Sequence, residues 1–198
     1  MFPTLVWKFQ LKPQVRRTMD QAMLRALGEL RRERAVLAPH EGWQSERALH
    51  EREAFVELAT CVHEAALSVL RFLRSGHDTI LVTGCWASVL APGAAHRSHA
   101  HPNNYLSGVY YLSTPPGADT INFHDPRVQT AVIRPPVTAL SAENTDQVVL
   151  RVERGTLLLF PAWLQHSVDA NASEEERVSI SFNLMFPDFA TALSKPLW

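Results

Sequence analysis

The sequence predicts a mainly β fold, a sandwich or jelly roll packed against two long N-terminal helices. Three observations carry this expectation. The spacing of apolar residues changes from helical to strand-like near residue 77. Beyond that point turn residues cut the chain into short β-rich runs. No strand-helix-strand alternation is present, which argues against a Rossmann-like sheet.

In the first part, Val15, Met19, Met23, Ala26, Leu27 and Leu30 recur at helical spacing through a segment rich in Arg, Glu and Ala. They mark an amphipathic helix over about 13–36. A second stripe, Phe55, Leu58, Ala59, Val62, Ala66, Val69, Leu70 and Leu73, marks another over 49–73. Each helix is expected to lay one face on a sheet. After Gly76 the expected strands are 79–90, 105–112, 120–123, 147–152, 156–160 and 178–186. Pro92-Gly93, Pro115-Pro116-Gly117, Pro135-Pro136, Arg154-Gly155 and the loop 169–176 separate them.

The length of 198 residues and a 46% share of hydrophobic residues suit one domain with a sizeable core. A net charge of -1, from 19 basic and 20 acidic side chains, gives no electrostatic footprint for nucleic acid or an anionic membrane. A small-molecule or peptide partner is expected instead, and a homodimer is compatible with these counts. Cys61 and Cys85 sit in separate apolar stretches, as buried thiols of a reducing compartment do. The N-terminal segment lacks the pattern of a secretory signal, and no apolar run reaches the roughly 18 residues that span a bilayer. A cytoplasmic protein is the expectation.

The chemistry concentrates in two stretches. In His96-Arg97-Ser98-His99-Ala100-His101-Pro102-Asn103-Asn104, His99 and His101 are two residues apart. In an extended chain such residues point to the same side, so two imidazoles can converge on one point. His166, just past the apolar run Gly155-Thr156-Leu157-Leu158-Leu159-Phe160-Pro161, can supply a third. Three such ligands with open positions suit a non-heme iron centre. In Arg177-Val178-Ser179-Ile180-Ser181-Phe182-Asn183 the alternation puts Arg177, Ser179, Ser181 and Asn183 on one face and an apolar set on the other. A polar face on a strand whose reverse is apolar implies a cavity. The planar guanidinium of Arg177 can grip a carboxylate there, with the Ser179 hydroxyl adding a further bond.

The series H-x-H-P-N, S-G-V-Y-Y-L, G-x-L-L-L-F-P-x-x-x-x-H and R-x-S-x-S-F-N resembles the 2-oxoglutarate and Fe(II)-dependent oxygenase superfamily, in particular its small bacterial and phage members related to prolyl hydroxylases. The resemblance covers roughly residues 80–187. It implies a double-stranded β-helix, the cupin-like jelly roll, packed against the two helices. The implied division is a helical support region over 1–76, a catalytic core over 77–187 and a C-terminal tail over 188–198. It also implies Fe(II), 2-oxoglutarate and dioxygen as cofactor and cosubstrates. His99, His101 and His166 take the places of the metal ligands, and Arg177 and Ser179 those of the 2-oxoglutarate anchor. Tyr111 looks like a further contact to the same carboxylate.

One position departs from the superfamily pattern, since His101 stands where a carboxylate is usual. Either three histidines form the centre, which is the favoured reading, or Asp125 enters as an alternative ligand. His124 and Asp125 are also candidates for a supporting or substrate-contacting role. The expected activity is hydroxylation of a small molecule, an amino acid or a peptide residue. Two rivals stand beside it: a three-histidine cupin-type dioxygenase that does not use 2-oxoglutarate, and a non-catalytic metal-binding jelly-roll module. Structural metal sites are usually closed, so an open polar cavity weighs against the last.

Overall fold

The structure, a computed structural model, describes residues 3–127, 135–141 and 143–192. Strand β1 (Trp7–Gln10) leads into helix α1 (Pro13–Leu30), which starts on a proline suited to a first helical turn. Strand β2 (Gly42–Gln44) and two single 3₁₀ turns precede helix α2 (Val56–Phe72). Then follow β3 (Leu81–Leu90), β4 (His96–His99), β5 (Leu106–Ser113), β6 (Thr120–His124), β7 (Gln147–Arg151), β8 (Thr156–Pro161), β9 (His166–Val168), β10 (Arg177–Met185) and a short helix α3 (Pro187–Ala192).

The strands form two antiparallel sheets, a larger one in the order β1-β8-β5-β10-β3-β2 and a smaller one in the order β4-β9-β6-β7. This is the double-stranded β-helix with its two longer helices on one side. Side-chain alternation in the larger sheet explains the layering. Tyr110 and Leu112 of β5, with Leu157 and Leu159 of β8, pack in the cluster that holds Met19, Met23 and Leu27 of α1 and Leu58, Val62, Ala66, Val69 and Leu70 of α2. Their neighbours Val109, Tyr111, Leu158 and Phe160 turn the other way, onto Ile121 and Phe123 of β6. Burying one stripe of each helix on a twisted sheet removes apolar surface at about 25 cal/mol per Å², the main favourable term for the assembly. Gly108 is required at the centre of β5. A Cβ there would lie 2.3 Å from the Leu158 carbonyl oxygen and 2.5 Å from the Phe182 ring.

Some boundaries differ from those the sequence suggests. Helix α1 stops at Leu30 rather than near 36, because Arg31–Arg34 offers no apolar stripe to bury and Val36 is exposed. The second stripe begins with 3₁₀ turns and becomes α-helical only at Val56. The region expected to be purely helical also gives β1 and β2 to the larger sheet. Val15 and Leu73, assigned to the apolar stripes, are largely exposed. Cys85 is buried and unpaired, whereas Cys61 is only partly covered. Of the tail expected over 188–198, residues 193–198 lie outside the described residues.

Candidate metal and carboxylate site

A cavity of about 760 Å³ opens between the two sheets. Strand β10 gives it Arg177, Ser179, Ser181 and Asn183, while Val178, Ile180 and Phe182 point into the helix-side core. Trp86 and Ser88 of β3 line it beside them, paired across the ladder with Ser181 and Ser179. Val109 and Tyr111 of β5 and Phe160 of β8 add to the same wall. The polar face read from the alternation of β10 is therefore the face of a cavity.

The histidines converge through strand pairing. His99 ends β4 and His166 opens β9, and the two are direct antiparallel partners. Their ring centres are 4.4 Å apart. His101 lies just beyond β4, held by its backbone N–H, which donates to the Ala162 carbonyl at 2.8 Å. Its ring centre is 5.1 Å from that of His99 and 5.2 Å from that of His166. One ligand atom from each of the three lies within 4.8 Å of the others, so the set could hold a metal ion. The rings are also oriented. Nδ1 of His99 contacts the Arg97 carbonyl at 2.8 Å, and Nδ1 of His166 contacts the Leu164 carbonyl at 3.0 Å. A carbonyl only accepts, so Nδ1 carries the proton in both, and each Nε2 keeps a lone pair for a metal.

Burial keeps two of these rings, His101 and His166, neutral. It lowers His166 to about 4 and His101 to about 3, and the neighbouring imidazoles push in the same direction. His96, at the cavity wall, is held down to about 4 by burial and by the Arg177 cation. Neutral imidazole is the form that ligates a metal.

Arg177 is 2% exposed. Its Nε donates to the Ala118 carbonyl at 3.1 Å, and its guanidinium carbon lies 5.1 Å from the centre of the Tyr111 ring. Among the described residues no carboxylate pairs with it. Among the described residues the Tyr111 hydroxyl is buried without a hydrogen-bond partner. Burial pushes that hydroxyl up to about 12, against the opposing pull of Arg177. Ser179 is buried on the same face. A buried cation and a buried orphan hydroxyl side by side are costly unless an anion joins them. A carboxylate has the charge and the two acceptor oxygens to do so. The loop before Arg177 is fixed as well: Asn171 donates to the carbonyls of Leu90 and Glu175, and Arg31 forks onto Glu176.

Other candidates lie elsewhere. Asp125, the alternative ligand, is outside the histidine group, and Arg127 forks onto its carboxylate. His124 bonds the Ser167 hydroxyl through Nε2 at 2.9 Å, beside but not within the cluster. Trp86 lines the cavity, whereas Trp163 is exposed and does not. Glu176, at the end of the loop 169–176, is ion-paired to Arg31. Sequence reasoning missed Gln44 and Arg47, which line the cavity from a segment that carries neither a helical nor an alternating pattern. Their place becomes visible only when β2 pairs with β3.

The sequence profile of a family described as "Putative 2OG-Fe(II) oxygenase" matches residues 84–183. No curated protein matches the sequence. Among solved structures, a prolyl hydroxylase from Trichoplax adhaerens, in complex with a hypoxia inducible factor oxygen degradation domain peptide fragment, is similar at a TM-score of 0.64. It is 16% identical, over 96% of this chain and 87% of that one. A Pseudomonas putida prolyl-4-hydroxylase is similar at 0.60 and 17% identity, over 92% of this chain and 94% of that one. The alpha ketoglutarate dependent carbocyclase SnoK from nogalamycin biosynthesis is similar at 0.64 and 13% identity, over 92% and 79% respectively. At these identities the likeness shows a shared fold.

Proposed function

Because the chain belongs to the 2OG-Fe(II) oxygenase family, whose metal is Fe(II) and whose cosubstrates are 2-oxoglutarate and dioxygen, we propose that it hydroxylates a small molecule, an amino acid or a peptide residue. The observation that carries this reading is the presence, in one cavity, of the three-histidine group and the buried Arg177–Tyr111 pair without a counter-ion. In this reading His99, His101 and His166 hold the iron. Arg177, Ser179 and Tyr111 hold the far carboxylate of 2-oxoglutarate.

With iron and 2-oxoglutarate held there, dioxygen would supply the oxidising power, one oxygen atom going to the succinate formed as 2-oxoglutarate loses carbon dioxide and the other to the substrate. The chain's own part is placement and exclusion of water. The Arg97 and Leu164 carbonyls fix which nitrogen of His99 and His166 faces the metal. Phe160, 4.7 Å from His166 between ring centres, and Trp86, 5.7 Å from His101, wall two of the histidines with aromatic rings. Arg177 and Tyr111 supply donors at a fixed depth, so a five-carbon diacid is oriented before it reacts.

Hydroxylation is preferred on the prolyl-hydroxylase likenesses; the carbocyclase SnoK stands for a different outcome of related chemistry. A second reading draws on the lack of a carboxylate in the histidine group: a three-histidine dioxygenase that oxidises its substrate directly. It gives the buried Arg177 no task. The two are separated by adding Fe(II), ascorbate and 2-oxoglutarate to anaerobic protein, admitting air and quantifying succinate. Succinate from the wild type and its loss in Arg177→Ala is the expected result. Iron binding with neither succinate nor 2-oxoglutarate binding would favour the second reading.

A further inference from the structure

The charge around the cavity is one-sided. Its described lining includes Arg47, Arg97 and Arg177 and four histidines, and neither Asp nor Glu. In a chain with 20 acidic residues this is a marked exclusion. A divalent metal held by three neutral imidazoles adds two positive charges, and 2-oxoglutarate removes two. The two cancel, so the three arginine charges remain as a net excess, and only Arg177 has the 2-oxoglutarate carboxylate assigned to it. Among the described residues neither Arg47 nor Arg97 pairs with a carboxylate.

Arg47 is also positioned. Its guanidinium carbon lies 5.1 Å from the centre of the Trp86 ring, and the His101 ring centre lies 5.7 Å from the same ring. Stacking on an aromatic face pre-orients the planar donor fork. Trp86 pairs across the ladder with Ser181, four residues along β10 from Arg177. At about 3.3 Å per residue that separates the Ser181 and Arg177 backbone positions by roughly 13 Å, so Arg47 meets the cavity wall at a different place from the Arg177 backbone. The cavity thus has a second cationic position, on the His101 side. Gln44 lines it, with its side-chain N–H₂ directed to Ser88.

We propose that the second substrate is a small carboxylic acid whose carboxylate is bound by Arg47 on the Trp86 face, with Gln44 beside it. The inference rests on the oxygenase reading and names the substrate class for the same site. One arginine fork and one amide match the two oxygens of a carboxylate. The cavity volume suits a cosubstrate together with one further small molecule.

The test has two arms, both read by calorimetry on anaerobic protein loaded with Fe(II). In the first, 2-oxoglutarate is titrated alone; absence of binding refutes the oxygenase reading itself. In the second, at saturating 2-oxoglutarate, free amino acids, 2-hydroxy acids and aryl acids are each compared with their primary amides, for example L-proline with L-prolinamide. The expected result is an acid that binds at least about tenfold more tightly than its amide. That preference should shrink to about twofold in Arg47→Gln and return in part in Arg47→Lys. A neutral or cationic compound binding best overturns the proposal. So does an acid preference untouched by Arg47→Gln, a panel in which no acid binds, or binding confined to acidic peptides.

Discussion

The guanidinium carbon of Arg177 lies 5.1 Å from the ring centre of Tyr111, both side chains are buried, and among the described residues the Tyr111 hydroxyl has no hydrogen-bond partner. A buried arginine without a carboxylate is unfavourable in the empty protein, since its desolvation is offset only by the Ala118 carbonyl and the aromatic face. Replacing it by an apolar chain of similar length removes that cost. Arg177→Met is therefore expected to leave the thermal stability of the apo protein unchanged or raise it, by about 1–2 kcal/mol. Adding 2-oxoglutarate and metal should raise the melting temperature of the wild type and not of the variant. Scanning calorimetry with and without the two ligands checks both halves.

Adjacent tyrosines should behave in opposite ways. The Tyr110 hydroxyl donates at 2.6 Å to the fully buried Asp20, which Arg16 and Arg154 also hold. Tyr110→Phe removes a bond to a buried charge and is expected to cost about 1–3 kcal/mol in urea denaturation, with 2-oxoglutarate affinity unchanged. Tyr111→Phe removes only an orphan hydroxyl. It should leave the apo protein as stable as before and weaken 2-oxoglutarate by about threefold to tenfold. The reverse pattern would misplace the cosubstrate.

The depressed imidazoles make apo stability depend on pH in a defined window. His96, His101 and His166 titrate near 4, 3 and 4 in the folded chain, against 6.5 when unfolded. Below pH 6.5 the unfolded state takes up protons that the native state refuses, so stability falls as pH drops toward 4. The loss is on the order of 1–2 kcal/mol per imidazole at pH 5. Chelator-treated protein should thus melt at a lower temperature at pH 5 than at pH 7.5. A flat or rising profile over that range would refute the neutral, buried cluster.

How much of this was legible in the sequence follows from the range of each signal. The face carrying Arg177, Ser179, Ser181 and Asn183 was readable because strict alternation over a buried strand leaves one assignment. The histidines were identifiable as a set, but not for the full geometric reason. His101 lies outside the strand, and the convergence comes from the pairing of His99 with His166 across β4 and β9. Those strands have four and three residues and a polar content that gives no periodic signal. β1 and β2 were missed because they are only four and three residues long, too short for a pattern to stand out, and β2 with them hid Gln44 and Arg47. Asp20 was invisible as a core residue because nothing local shows that Tyr110, ninety residues away, would reach it.

Whether Arg177 anchors the cosubstrate beside a three-histidine metal is decided by the dissociation constant of 2-oxoglutarate for anaerobic Fe(II)-loaded protein, wild type against Arg177→Ala. The account predicts measurable binding to the wild type and a loss of at least about tenfold to a hundredfold in the variant, with metal content unchanged. Equal affinity in the two proteins, or no binding to the wild type despite bound iron, would contradict it.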